Sequence, residues 1–170
     1  MKLMNLTEIL EHLQSQLPSA GVTAVTPETG DPWITVPAEH LRVVCLMLRD
    51  DEQLAFDYLR CLSGVDTGEQ MLTVYHLLSL KHRHTVVLKV ELDRNSPEVD
   101  SVQDIWRSAN WFERETWDLL GIRFAGHPDL TRLMLPADWV GHPLRKDYQE
   151  QPEYHGMPTT RPNLLGGKDA

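Results

Sequence analysis

The sequence predicts an α+β fold: an antiparallel or mixed β-sheet with helices packed on one face, followed by an extended C-terminal tail. Three observations predict it. Two early runs repeat apolar residues at spacings of three and four, strand-like runs with short links crowd into residues 56–92, and prolines punctuate everything after Gly121. With 170 residues, 41% of them apolar, the chain has enough hydrocarbon for one domain and an appendage.

Leu3, Leu6, Leu10, Leu13 and Leu17 mark an amphipathic first helix, with Asn5 or Thr7 as its cap and Pro18 closing it. Val22–Val25 and Trp33–Val36 are short β-prone runs set apart by Pro27, Gly30 and Pro32, and read as neighbouring strands. A second helix follows Pro37, its stripe formed by Leu41, Val44, Cys45 and Leu48. Three longer strands are expected at 56–63, 71–80 and 85–92, with Gly64–Gly68 turning the first into the second and Lys81–His84 linking the last two. In the last strand Val86, Leu88, Val90 and Leu92 alternate with Thr85, Val87, Lys89 and Glu91, which puts one face on a core. Links this short make the three strands antiparallel, because a parallel return needs a dozen or more residues. A third helix spans about 109–120 and ends at Gly121. These readings divide the chain into an α+β domain (1–120), an extended segment (121–148) and a Pro/Gly-containing tail (149–170) expected to lie along a partner.

Composition excludes several functions. A net charge of −9 without a basic patch argues against nucleic acid as a ligand. Cys45 and Cys61 form no CxxC pair, so the chain lacks the thiolates for an iron–sulfur cluster. The longest apolar run, Val43–Leu48, is far below the roughly 20 residues a membrane span needs. Asn5, Thr7 and Glu8 interrupt the N-terminus, so no secretory signal is expected and the chain is expected to stay in the cytoplasm. No GxGxxG, GxxxxGK[ST] or GxSxG loop is present.

The segment Glu113–Tyr148 has a different charge balance from the rest. It carries five cations and six anions, leaving −8 of the total −9 to the remaining residues. Charges so balanced are expected to be spent on each other or on a partner. Glu113, Glu115, Asp118, His127 and His142 have the donor types of a metal or acid–base site. At about 100° per helical residue, however, Glu115 lies roughly 200° and Asp118 roughly 140° from Glu113, so the three carboxylates cannot meet one ion. Glu113, Arg114, Glu115 and Asp118 are therefore expected to form structural ion pairs, with Arg114 and Asp118 on one helix face. The Gly-His-Pro triplets at 126–128 and 141–143 read as turns. Trp111, Trp117 and Trp139 read as packing or interface residues.

The succession ERExxDLLG, GHPDLxRLML and DWxGHPLRKDY closely resembles the C subunit of the proton-pumping NADH-quinone oxidoreductase, respiratory complex I. The resemblance is dense from Glu113 to Tyr148 and looser before it. It implies an α+β subunit of the hydrophilic peripheral arm that is non-catalytic and binds no cofactor, with FMN and iron–sulfur clusters in partner subunits. The implied partners are the quinone-site subunit and the cluster-bearing subunits, with NADH and quinone bound elsewhere. The implied location is the cytoplasmic side of the bacterial inner membrane. The partner surface is expected at Arg132, Asp138, Trp139, Arg145, Lys146, Asp147 and Tyr148. Two residues depart from the family pattern: Thr131 stands where a basic residue is common, and Gln149 where proline is common. Some relatives continue into the quinone-site subunit, so an end at Ala170 leads to the expectation of an unfused form. Two other readings compete: the equivalent subunit of a ferredoxin- or deazaflavin-dependent reductase or membrane-bound hydrogenase, and a free-standing metal-dependent hydrolase using His127, His142 and the acids.

Overall fold

The computed structural model describes residues 3–159. Helix α1 (Leu6–Gln16) starts with a capping box in which Asn5 and Glu8 each accept the other's backbone N–H. Its fully buried residues are Ile9 and Leu13, whereas Leu3 precedes the helix and is exposed. Helix α2 (Leu41–Asp50) buries Leu41, Val44, Cys45 and Leu48, the expected stripe.

The main sheet contains β1 (Thr23–Val25), β2 (Trp33–Thr35), β3 (Tyr58–Asp66), β4 (Gln70–Leu78) and β5 (Thr85–Asp93), in the order β1-β2-β5-β4-β3. The pairs β1–β2, β3–β4 and β4–β5 are antiparallel, while β2–β5 is parallel, so the sheet is mixed. The parallel pair is possible because α2 and the β3–β4 hairpin lie between its strands in sequence. Met71, Thr73, Tyr75 and Leu77 on β4, with Val86, Leu88, Val90 and Leu92 on β5, form the inward face. The apolar residues among them join the buried residues of α1 and α2 in one core.

One expected turn is displaced. Strand β3 continues through Gly64 to Asp66, and the chain reverses at residues 67–69 instead. Gly64 serves helix packing: a Cβ there would stand 2.5 Å from Leu120 Cδ1 and 2.7 Å from Thr116 Cγ2.

Beyond the sheet, β6 (Glu98–Asp100) and β7 (Arg123–Ala125) pair in parallel around helix α3 (Ala109–Leu120). Gly121 ends α3 in the left-handed conformation, φ 77°. Ile122 and Phe124 are core residues, so the packed body runs past residue 120 through Ala125. A small hairpin, β8 (Glu153–Tyr154) with β9 (Met157–Pro158), occupies the start of the expected tail. Residues 160–170 of that tail lie outside the described residues. Among the described residues no helix is long and apolar enough to cross a membrane.

Candidate functional site

Helix α3 presents two buried carboxylates in different directions. Asp118, wholly buried, receives the segment that follows β7. Its Oδ2 accepts the main-chain N–H groups of Leu133, Met134 and Leu135 at 2.9, 2.7 and 3.0 Å. Its Oδ1 accepts Arg132 Nη1 at 2.6 Å. Arg132 then donates through Nη2 to the carbonyls of Trp139 and Gly141, at 2.8 and 3.2 Å. His142 Nδ1 donates to the Asp118 carbonyl at 2.9 Å. Burial alone would push the Asp118 carboxyl up, but the Leu135 amide, the Arg132 guanidinium and the Leu133 and Met134 amides together hold it below its ordinary value.

Arg114 does not join this anchor, contrary to the expected Arg114–Asp118 pair. Its guanidinium donates to the Thr131 carbonyl at 3.2 Å, the Thr131 hydroxyl at 3.0 Å and the Arg132 carbonyl at 3.3 Å. Thr131 thus supplies acceptors to a cation where a basic residue would repel it. Glu115, half-buried, has no hydrogen bond or ion pair among the described residues.

A second anchor lies at the β3–β4 hairpin. Arg94 holds Asp66 by two bonds of 2.9 Å, and Asp66 also accepts the main-chain N–H groups of Gly68 at 2.8 Å and Lys146 at 2.9 Å. Arg94 reaches Asp147 at 2.8 Å, Arg145 donates to the Arg94 carbonyl at 2.8 Å, and Lys146 Nζ donates to the Thr67 carbonyl at 3.0 Å. The Arg94 guanidinium holds the Asp66 carboxyl far below the usual carboxylate range, helped by the Lys146 and Gly68 amides and opposed by burial. Nothing in the sequence singles out Asp66 or Arg94, because an aspartate at a hairpin end reads as an ordinary turn residue.

Glu113 faces away from both anchors and has no cationic partner of the Lys or Arg type among the described residues. Its Oε1 accepts the Val102 N–H at 2.8 Å, and its Oε2 lies 2.5 Å from Ser101 Oγ and 4.0 Å from His127 Nε2. Burial pushes its pKa up to about 7, against the contacts with Ser101 and Val102 and with a further upward push from Asp104. His127 donates through Nε2 to the Asn110 carbonyl at 3.2 Å and accepts the Asp129 N–H on Nδ1 at 3.1 Å. Both Gly-His-Pro histidines thus bond to backbone, holding turns in place.

The remaining expected surface residues also contact their own chain. Asp138 accepts from Tyr154 Oη at 2.8 Å and His155 Nε2 at 2.7 Å, while Trp139 packs 5.0 Å from the Tyr154 ring. The Tyr148 ring covers Gly141, where a Cβ would stand 2.9 Å from Tyr148 Cε2. The side chains facing water include the apolar Trp111, Met134, Val140, Leu144 and Met157, each 59–63% exposed, beside the exposed charges of Asp138, Lys146 and Asp147. Of the surface expected at Arg132, Asp138, Trp139, Arg145, Lys146, Asp147 and Tyr148, the fold leaves Asp138, Lys146 and Asp147 exposed and half-buries the others, and it sets uncovered apolar side chains beside them.

Comparison with known proteins assigns the family. The profile described as "Respiratory-chain NADH dehydrogenase, 30 Kd subunit" matches residues 34–154. The chain belongs to this family. It is 44% identical over 134 residues to the C subunit of NADH-quinone oxidoreductase from Chloroherpeton thalassium, covering 78% of this chain and 52% of that one. It is 43% identical over 142 residues to the corresponding subunit from Roseiflexus sp., covering 82% and 81%. The chain thus spans about half the length of the first relative and about four fifths of the second. Among solved structures, the trypsin-resistant fragment (1-134) of Nqo5 superposes with a TM-score of 0.60 at 28% identity, covering 72% of this chain and 99% of that one. A chain of an archaeal respiratory membrane complex, the membrane-bound sulfane sulfur reductase, shares the fold at TM-score 0.64 and 21% identity, covering 84% and 85%. In this 30 kDa subunit fold the C-terminal segment is anchored through Asp118 on α3, Arg132 beneath the loop and Arg145–Asp147 on the hairpin, while Glu113 holds the backbone at Ser101–Val102.

Proposed function

We propose that the chain is a non-catalytic, peripheral-arm subunit of NADH-quinone oxidoreductase. In this reading it scaffolds electron transfer from NADH, through FMN and iron–sulfur clusters of other subunits, to quinone, coupled to proton translocation. Its partners are the quinone-site and cluster-bearing subunits, which hold it on the cytoplasmic side of the bacterial inner membrane. Family membership supports the reading, and one observation on the molecule carries it. The segment after β7 is fastened to the body by polar contacts at Asp118 and Asp66 yet holds Met134, Val140, Leu144 and Met157 out to water. Exposed hydrocarbon on a segment fastened by buried polar contacts is the arrangement of a docking surface. One of the two thiols suits a scaffold: Cys45 lies wholly in the core, where burial pushes its pKa up and disfavours the ligating thiolate.

The test is Leu144→Asp in the tagged chain, expressed in cells that make the whole complex. The isolated variant is expected to keep its circular dichroism and unfolding midpoint, because Leu144 is 59% exposed. The other subunits, identified by mass spectrometry, are expected to be lost from the purified material, along with NADH-quinone reductase activity in membranes. Full recovery of both would overturn the reading.

A further inference from the structure

Trp111, Glu115 and Leu119 follow one another at intervals of four along α3 and share one helix face. Beside them, between α3 and β3, lies a cleft of about 160 Å³ lined by Leu62, Ser63, Glu115, Thr116, Leu119 and Leu144. Leu144 is fixed at its rim by its N–H, which donates to the Leu119 carbonyl at 3.0 Å. Within Glu113–Tyr148, Glu113, Asp118, Asp138 and Asp147 have partners in the chain and Asp129 is exposed to water. Glu115 differs from all of these, being half-buried in an otherwise mostly apolar cleft and without a partner among the described residues. The neighbouring cation, Arg114, is turned toward Thr131 and Arg132 instead.

We propose that this cleft receives an arginine side chain from a partner subunit, its stem between Leu119 and Leu144 and its guanidinium on the Glu115 carboxylate. The inference rests on the docking reading, since a partner that covers Leu144 also seals the cleft. A carboxylate sealed from water needs donors in place of its hydration. Unlike Glu113, which has Ser101 and the Val102 N–H, Glu115 has none among the described residues, so the covering surface is the source of a donor and a cation is the strongest one. Arginine suits the site because its planar fork grips a carboxylate by two bonds and its stem is apolar.

The experiment uses the complex isolated from membranes through a tag on this chain, with release of its subunits followed against time and salt. Glu115→Gln is expected to speed release about 10-fold or more. The isolated chain should keep its unfolding midpoint, since no contact within it is lost. Glu115→Lys is expected to abolish retention. Release of Glu115→Gln at the parent rate overturns the proposal. If Leu144→Asp still frees the partners in that case, the docking reading stands without the arginine; if neither variant does, both fall. The Glu115→Gln effect is expected to persist in a chain ending at Thr159. Its disappearance there would assign the cleft to residues 160–170, which include Arg161 and Lys168, and would overturn the partner assignment.

Discussion

From Met71 to Leu92 the chain turns alternate apolar side chains inward and excludes water from them, whereas from Gly126 to Thr159 it turns guanidinium and imidazole groups inward and leaves large apolar side chains outside. The sheet is held by many small, non-directional contributions spread over one core. The C-terminal segment is held by a few directional bonds to carboxylates that the body provides, chiefly Asp118 and Asp66. The difference matters for function. A segment fastened at points keeps its hydrocarbon available for another protein, which a segment folded around its own hydrocarbon could not do.

The strongest way to break this comparison is Asp118→Ala. Removing the carboxylate strands the Arg132 guanidinium and three backbone N–H groups, at a cost of about 3–5 kcal/mol to the segment. Limited proteolysis is expected to cut between residues 130 and 148 while the sheet keeps its hydrogen-exchange protection. Loss of protection throughout would show that the two regions fold as one unit. Leu88→Ala acts on the other side, opening a cavity in the central strand pair at a cost of about 2–5 kcal/mol. Here protection is expected to fall everywhere, segment included, because the anchors sit on the body.

The two regions should also respond oppositely to pH. Glu113, with a folded pKa of about 7 against an ordinary 4.5, keeps a proton in the folded chain that the unfolded chain has lost between those values. Its contribution is therefore full below about pH 4.5 and falls by up to about 3 kcal/mol as the pH rises to 7. Glu113→Gln, which mimics the protonated form, is expected to flatten the unfolding midpoint across that window; an unchanged slope would refute the assignment. Asp66 and Asp118 have lowered folded values, so what they contribute is present above the ordinary 3.8 and is lost as pH falls through the folded values. Acid should release the segment from a body that Glu113 still favours. The smallest effect is expected from Gly141→Ala, about 1–2 kcal/mol, because φ is 82° and the new methyl would press on Tyr148. Amide exchange at 139–148 would report it, with the sheet unchanged.

Much of the body was legible from local pattern. The stripe of α2, the alternation of β5, the antiparallel hairpins and the Gly121 stop are all consequences of neighbours within a few residues. What escaped was short or long-range. β6 and β7 have three residues each, too few to show a period, and their parallel pairing is made across the whole of α3. Gly64 carried the composition of a turn but serves close packing of α3 on β3. At the candidate site, the motif residues were visible while their partners were not. Arg114 and Asp118 have helical spacing for a pair, yet each found better geometry in the loop above it.

The order of apolar and polar residues by itself determined the helices, the longer strands, the α+β class and the resemblance that gives the family, because each of these depends on near neighbours in the chain. Only the tertiary structure decided which charges meet. Arg132 reaches Asp118 across 14 residues, Arg94 reaches Asp66 across 28, and the Lys146 N–H reaches the same Asp66 across 80. A buried carboxylate takes the donors that the fold brings within about 3 Å of it, and no rule of spacing along the chain names them.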